Sequence, residues 1–99
     1  MAFVRLAYFE GGTAAQYEAI ARELAGVPVP SERRVFAAGA APGGWQVVQV
    51  WDSKDALDAF NREWFLPALE RAGGSGFSGV PEVRDFESQD LWIGRERLD

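Results

Sequence analysis

The stretch Gly43 to Phe65, GGWQVVQVWDSKDALDAFNREWF, decides how this chain folds. Ala41-Pro42-Gly43-Gly44 is turn chemistry, and Trp45 to Trp51 that follows is aromatic and β-branched enough to be a central strand. Asp52 or Ser53 then caps a helix, with Asp55 favourably placed in its first turn. Ala56, Leu57, Phe60, Trp64 and Ala68 form the apolar stripe of that helix, with Phe65 and Leu69 beside it. Pro67 inside this pattern would cost about 3 kcal/mol in a regular helix, so a kink or break is expected near Trp64, with a short continuation to Arg71.

Working outward, residues 34–40 form a second, weaker strand that pairs as an antiparallel hairpin with Trp45–Trp51. Residues 2–9 form a first strand, with Val4, Leu6 and Tyr8 on one face and Phe3, Arg5, Ala7 and Phe9 on the other. Gly11-Gly12 breaks it. Thr13 and Gln16 have the spacing of a capping box, and Tyr17, Ile20, Ala21 and Leu24 then recur at helical spacing until Ala25-Gly26 and the prolines at 28 and 30 end the helix. Residues 73–81 read as a flexible glycine-rich loop, and Glu82 to Phe86 as a fourth strand. The order strand, helix, strand, strand, helix, strand is that of an α+β, ferredoxin-like βαββαβ domain spanning residues 1–99. It predicts a four-stranded antiparallel sheet with both helices on one face. Two helices cover only one face, yet the first and third strands are apolar on both. A two-fold homodimer joined sheet to sheet is therefore expected, with Leu91-Trp92-Ile93 packing across the partner. Val48 and Val50 are assigned to the protomer's own cavity, and Trp45, Val47, Gln49 and Trp51 to the partner surface.

Composition bounds the chemistry. The formal charge of −5 argues against nucleic acid or an anionic membrane as partner. The chain has no cysteine and no histidine, which removes thiolate nucleophiles, disulfides, the Ser-His-Asp triad and the common metal ligands. No metal and no cofactor are expected. Met1 leads directly into the first strand with no basic-then-apolar leader, and no apolar run approaches the roughly 20 residues of a membrane span, so a cytoplasmic protein is expected. Nine of the ten basic residues are arginine, a usage typical of GC-rich bacterial genomes.

Three features together cover nearly the whole chain: Phe9-Glu10-Gly11-Gly12-Thr13 with Tyr17; the junction from Gly44 to Ser53 with Ala56, Leu57 and Phe60; and Pro81-Glu82-Val83 with Phe86. On these residues the sequence resembles the dimeric α/β-barrel superfamily, and within it the antibiotic-biosynthesis-monooxygenase-like proteins. The superfamily hosts oxygenases, haem-degrading enzymes, isomerases, cyclases and plain binding proteins, so function rests on the site. Haem-degrading members use a histidine on the second helix and a tryptophan near its start. Here there is no histidine, and Phe60 stands about where that tryptophan would fall. Cofactor-free oxygenases hold a polycyclic phenol with asparagine, tryptophan, tyrosine and arginine, and support its deprotonation and reaction with oxygen. Asn61, Trp64, Tyr8, Tyr17 and Arg5 match these in kind, not in register.

The cavity of this fold lies between sheet and helices. Trp64 and Phe65 are read either as its walls or as core aromatics, and Phe60 shares their stripe. Asn61 either edges that stripe or faces solvent. Tyr17 is a core tyrosine or a ligand contact. Arg5, a cation in an apolar strand, needs an acidic partner; Asp85 or Glu87 across the dimer, or an anionic or phenolate ligand, would serve. Gln49 either bonds across the dimer or points into a cavity. The substrate-binding set is thus Arg5, Tyr8, Tyr17, Phe60, Asn61, Trp64 and Phe65, with no catalytic residue assigned. The function expected is a cofactor-independent monooxygenase or cyclase acting on an aromatic, polyketide-like molecule, or alternatively a non-catalytic ligand-binding or structural homodimer.

Overall fold

A computed structural model describes residues 1–98. Strand β1, Phe3–Glu10, lies inside a four-stranded antiparallel sheet of order β2-β3-β1-β4, where β2 is Arg33–Ala41, β3 is Gly44–Trp51 and β4 is Glu82–Glu87. Helix α1, Ala14–Glu23, follows β1. The helical segment after β3 has three parts: α2, Lys54–Phe60; a π-helical turn, Asn61–Phe65; and α3, Leu66–Ala72. This is the ferredoxin-like α+β architecture expected from the order of elements. Among the described residues no helix is long and apolar enough to cross a membrane.

Local chemistry explains the helix ends. The Thr13 hydroxyl accepts from the Gln16 backbone N–H at 3.2 Å, and the Gln16 side chain accepts from the Thr13 N–H at 3.0 Å, so two otherwise orphaned donors are satisfied reciprocally. Ser53, not Asp52, caps α2 by accepting from the Ala56 N–H at 3.1 Å. Pro67 has no N–H to give to the carbonyl four residues back. The break expected near Trp64 takes the form of the π turn just before it, in which the Leu66 N–H reaches back five residues to the Asn61 carbonyl.

Strand register sorts every side chain onto one of two faces. One row across the sheet is Phe36, Gln49, Arg5, Asp85; the next is Ala38, Val47, Ala7, Val83; beyond it lie Trp45 and Phe9. This face meets the helices. Tyr17 of α1 stacks on Trp45 at 5.1 Å between ring centroids, and Trp51 lies 5.5 Å from Phe60 and packs on Leu57 of α2. The expected assignment of β3 is therefore reversed. Trp45, Val47, Gln49 and Trp51 face the protein's own helices, while Val48 and Val50 lie on the far face. Alternation shows which residues share a face, but not which face the crossover helices take; here the larger apolar set wins the helices because it buries more area.

The far face is half covered by the chain itself. Ser88 is held to Ala2 by a 2.8 Å backbone hydrogen bond and a 3.1 Å bond from the Ala2 N–H to its hydroxyl. The tail then folds back through a small hairpin of β5, Trp92–Ile93, and β6, Glu96–Arg97, and places Leu91 and Leu98 on Ala2, Val4, Val50 and Val35. Leu91 thus packs on its own sheet rather than across a partner, and Trp92 and Ile93 stay exposed.

Candidate functional site

Two aromatic clusters bracket the helix-side face. At one end Phe9, Trp45, Tyr17 and Phe77 pack with Ala7 and Val47; at the other Phe3, Trp51, Leu57 and Phe60 do so. Between them the sheet carries small or polar residues, Ala7, Val47, Arg5 and Gln49, too short to reach the helices everywhere. A cavity of about 350 Å³ remains, roofed by Tyr17 and Ile20 of α1, by Leu24 just after it, and by Phe60, Asn61 and Phe65 of the second helical segment. Val27, Val29, Phe36, Phe77, Pro81 and Val83 complete its walls, and the exposed Val29, Phe36 and Val83 mark its mouths.

The polar groups on this apolar surface are few and unsaturated. Arg5 reaches across to the neighbouring strand and binds Asp85 in a fork, Nε to Oδ1 at 2.9 Å and Nη2 to Oδ2 at 3.0 Å. The pair is formed within one chain, not across a dimer as expected, because the register sets the two residues side by side. That hydrogen bonding raises the arginine pKa above its already high ordinary value and lowers that of the Asp85 carboxyl. The pair stays ionised through the whole working range, and Asp85 is a poor base. Nη1 of Arg5 makes no hydrogen bond to a described residue. Gln49 accepts from the Trp51 indole N–H at 2.9 Å, which orients its amide and leaves the amide N–H groups unclaimed. The Asn61 amide and the Tyr17 hydroxyl likewise make no hydrogen bond to another described residue and line the same cavity.

Of the residues singled out in the sequence, the structure brings Arg5, Tyr17, Phe60, Asn61 and Phe65 to this cavity. Tyr8 and Trp64 are not there. Tyr8 is on the far face, where its hydroxyl donates to the Pro42 carbonyl at 2.8 Å and braces the β2–β3 turn. Trp64 is 42% exposed and is not among the cavity walls. The π turn explains the difference: its extra residue per turn shifts the phase of the stripe, setting Asn61 and Phe65 over the cavity and swinging Trp64 away, whereas a regular stripe favours Phe60 and Trp64. Sequence reasoning missed Phe77, whose ring stacks on Phe9 at 4.1 Å and anchors the glycine-rich loop against the cavity. A lone phenylalanine in a run of glycine and serine was the available signal. It also missed Arg33 and Phe36 on β2, for which no periodic signal existed.

The sheet order and the two helical segments define a ferredoxin-like α+β fold that solved structures share with this chain. Two solved structures carry the comparison. One is provisionally named an antibiotic biosynthesis monooxygenase, from Caulobacter crescentus, with TM-score 0.66 and 18% identity over 88% of this chain and 89% of that one. The other bears the same provisional name, from Chloroflexus aurantiacus, with TM-score 0.60 and 15% identity over 97% of both chains. Compared by sequence, the chain matches no protein-family model and no curated protein.

Proposed function

We propose that this chain binds one flat, largely apolar aromatic molecule per protomer, of polyketide-like type, and supports its cofactor-independent oxygenation. The observation that carries the reading is the cavity itself. Its volume of about 350 Å³ suits a two- or three-ring compound and falls within the roughly 300–1,000 Å³ of small-molecule pockets. Its walls are mostly apolar, and Arg5, Gln49, Asn61 and Tyr17, whose side chains keep donors unused among the described residues, all line it. Such donors stabilise a phenolate or enolate oxygen more than its neutral parent, which lowers the substrate pKa and gives dioxygen an electron-rich carbon. For an anthrone-type CH₂, one dioxygen is consumed, one of its oxygen atoms becomes the carbonyl and the other leaves as water. The provisional names of the two structural neighbours point the same way.

A second reading, a binding protein without catalysis, has its own support. Among the described residues no carboxylate lines the cavity, and Asp85 is locked in its fork with Arg5. The proton would have to leave to solvent. In either reading we propose a homodimer, since Leu6 and Val48 lie side by side on the far face beyond the reach of the tail.

The test is quenching of the four tryptophans by a panel of hydroxylated anthrones and flavonoids, run beside an oxygen electrode. Saturable quenching with oxygen uptake, reduced roughly 100-fold in rate by Asn61→Ala, is expected for the oxygenase. Quenching without uptake selects the binding protein. No saturable quenching by any aromatic removes the pocket reading.

A further inference from the structure

We propose that the molecule held in this cavity is a carboxylic acid, and that Arg33, at the β2 mouth, is the residue that selects it. The inference deepens the pocket reading and rests on it. Its starting point is a backbone irregularity. Arg33 pairs with Trp51 and Val35 with Val50, so β2 spends two steps where β3 spends one, and Arg34 is the extra residue of a bulge. Counting back from Phe36, which pairs with Gln49 on the helix-side face, regular alternation would put Arg34 on that face and Arg33 on the other. The bulge reverses this. It sets Arg33 and Phe36 together on the cavity side, and both line the cavity. Bulges that re-aim one side chain recur beside binding sites.

Charge accounting makes the placement informative. Among the described residues two arginines line the cavity and no acidic residue does. Arg5 is neutralised by Asp85. Arg34, next in sequence, pairs with Asp52 at 2.7 Å. Arg33 makes no ion pair among the described residues; its guanidinium lies 4.7 Å from the centroid of the Phe36 ring. That contact holds the planar cation at the rim and leaves its edge donors unspent. A partly buried cation on an apolar rim, with no ion pair among the described residues, is free to take its counter-charge from a bound molecule. A planar carboxylate matches the guanidinium fork, while the apolar rings it is attached to fill the space beyond.

The experiment is calorimetric titration of the full chain, at low salt, with 2-naphthoate and with its neutral isostere 2-naphthamide. The expected result is roughly tenfold tighter binding of the acid. Arg33→Met should abolish that preference by weakening the acid, with the amide affinity held within about twofold, and Arg33→Lys should retain part of it. Arg34→Met, which acts on the opposite face, should leave the preference intact. Added salt should weaken the acid and not the amide. Equal binding of acid and amide by the unmodified chain overturns the role of Arg33 and leaves the pocket reading standing, as does a preference that survives Arg33→Met. Binding of neither compound overturns both.

Discussion

Trp45 and Trp51 stand at opposite ends of β3 and face the same helices, yet their indole N–H groups meet different fates. Trp51, 1% exposed, donates to Gln49; Trp45, 8% exposed, has no partner for its Nε1 among the described residues. The Trp51 bond gives Gln49 a fixed orientation, so a packing residue sets the polarity of the cavity floor. The Arg5–Asp85 fork does similar work one residue further along the same row. Removing its acceptor with Asp85→Asn should cost about 1 kcal/mol at neutral pH, since the pair is partly open to solvent. The sign of its pH dependence follows from the lowered carboxyl pKa. The contribution is fully present above the ordinary value of 3.8 and is lost as pH falls through the lowered one. Denaturant midpoints of the two proteins should therefore differ by a constant amount down to that value and converge below it. A difference that fades already near neutrality would contradict the fork. The arginine side of the pair titrates only beyond the alkaline range.

At the scale of the element, the β2–β3 turn and the π turn shape the site. Gly43 has φ +77°, a conformation only glycine takes at low cost, and a Cβ on Gly44 would run into the Phe9 carbonyl and the Tyr8 ring. Because the obstacle is backbone, Gly44→Ala should destabilise by about 2–3 kcal/mol. Gly39, in the same hairpin with open space around it, should accept alanine with a change of no more than about 0.5 kcal/mol. Thermal or denaturant unfolding of the pair checks this, and similar losses at both positions would show that the hairpin tolerates neither for some other reason than close approach. The helix caps, the glycine turn and the proline break were all legible in sequence, because each depends on residues within four or five positions. The bulge at Arg34 was not. It is a mismatch between two strands, visible only once β2 is laid against β3.

For the whole molecule, the sheet is clothed unevenly. Helices cover one face; on the other, the tail shields Val4 and Val50, while Leu6 and Val48 lie beyond it and Phe86 is exposed. A second copy would bury this patch, with Trp92 and Ile93 at its border. Sedimentation should give a mass twice that of one chain. Val48→Lys, on the far face and away from the cavity, should halve it while leaving the circular dichroism spectrum unchanged. A single-chain mass for the unmodified protein at micromolar concentration would end the dimer proposal.

The stretch Gly43–Phe65 by itself determined a turn, a strand, a cap and a broken amphipathic helix, since spacing, capping oxygens and proline act locally. With the elements around it, it also determined the βαββαβ order and so the sheet with two helices on one face. It did not determine which face of β3 those helices take, because period-two alternation is symmetric between the two faces. Nor did it determine that Asn61 and Phe65 rather than Trp64 roof the cavity, or that Arg5 meets Asp85 and Arg33 joins Phe36. Those placements depend on strand register, on one bulge and on one π turn, and only the packed tertiary structure decides them.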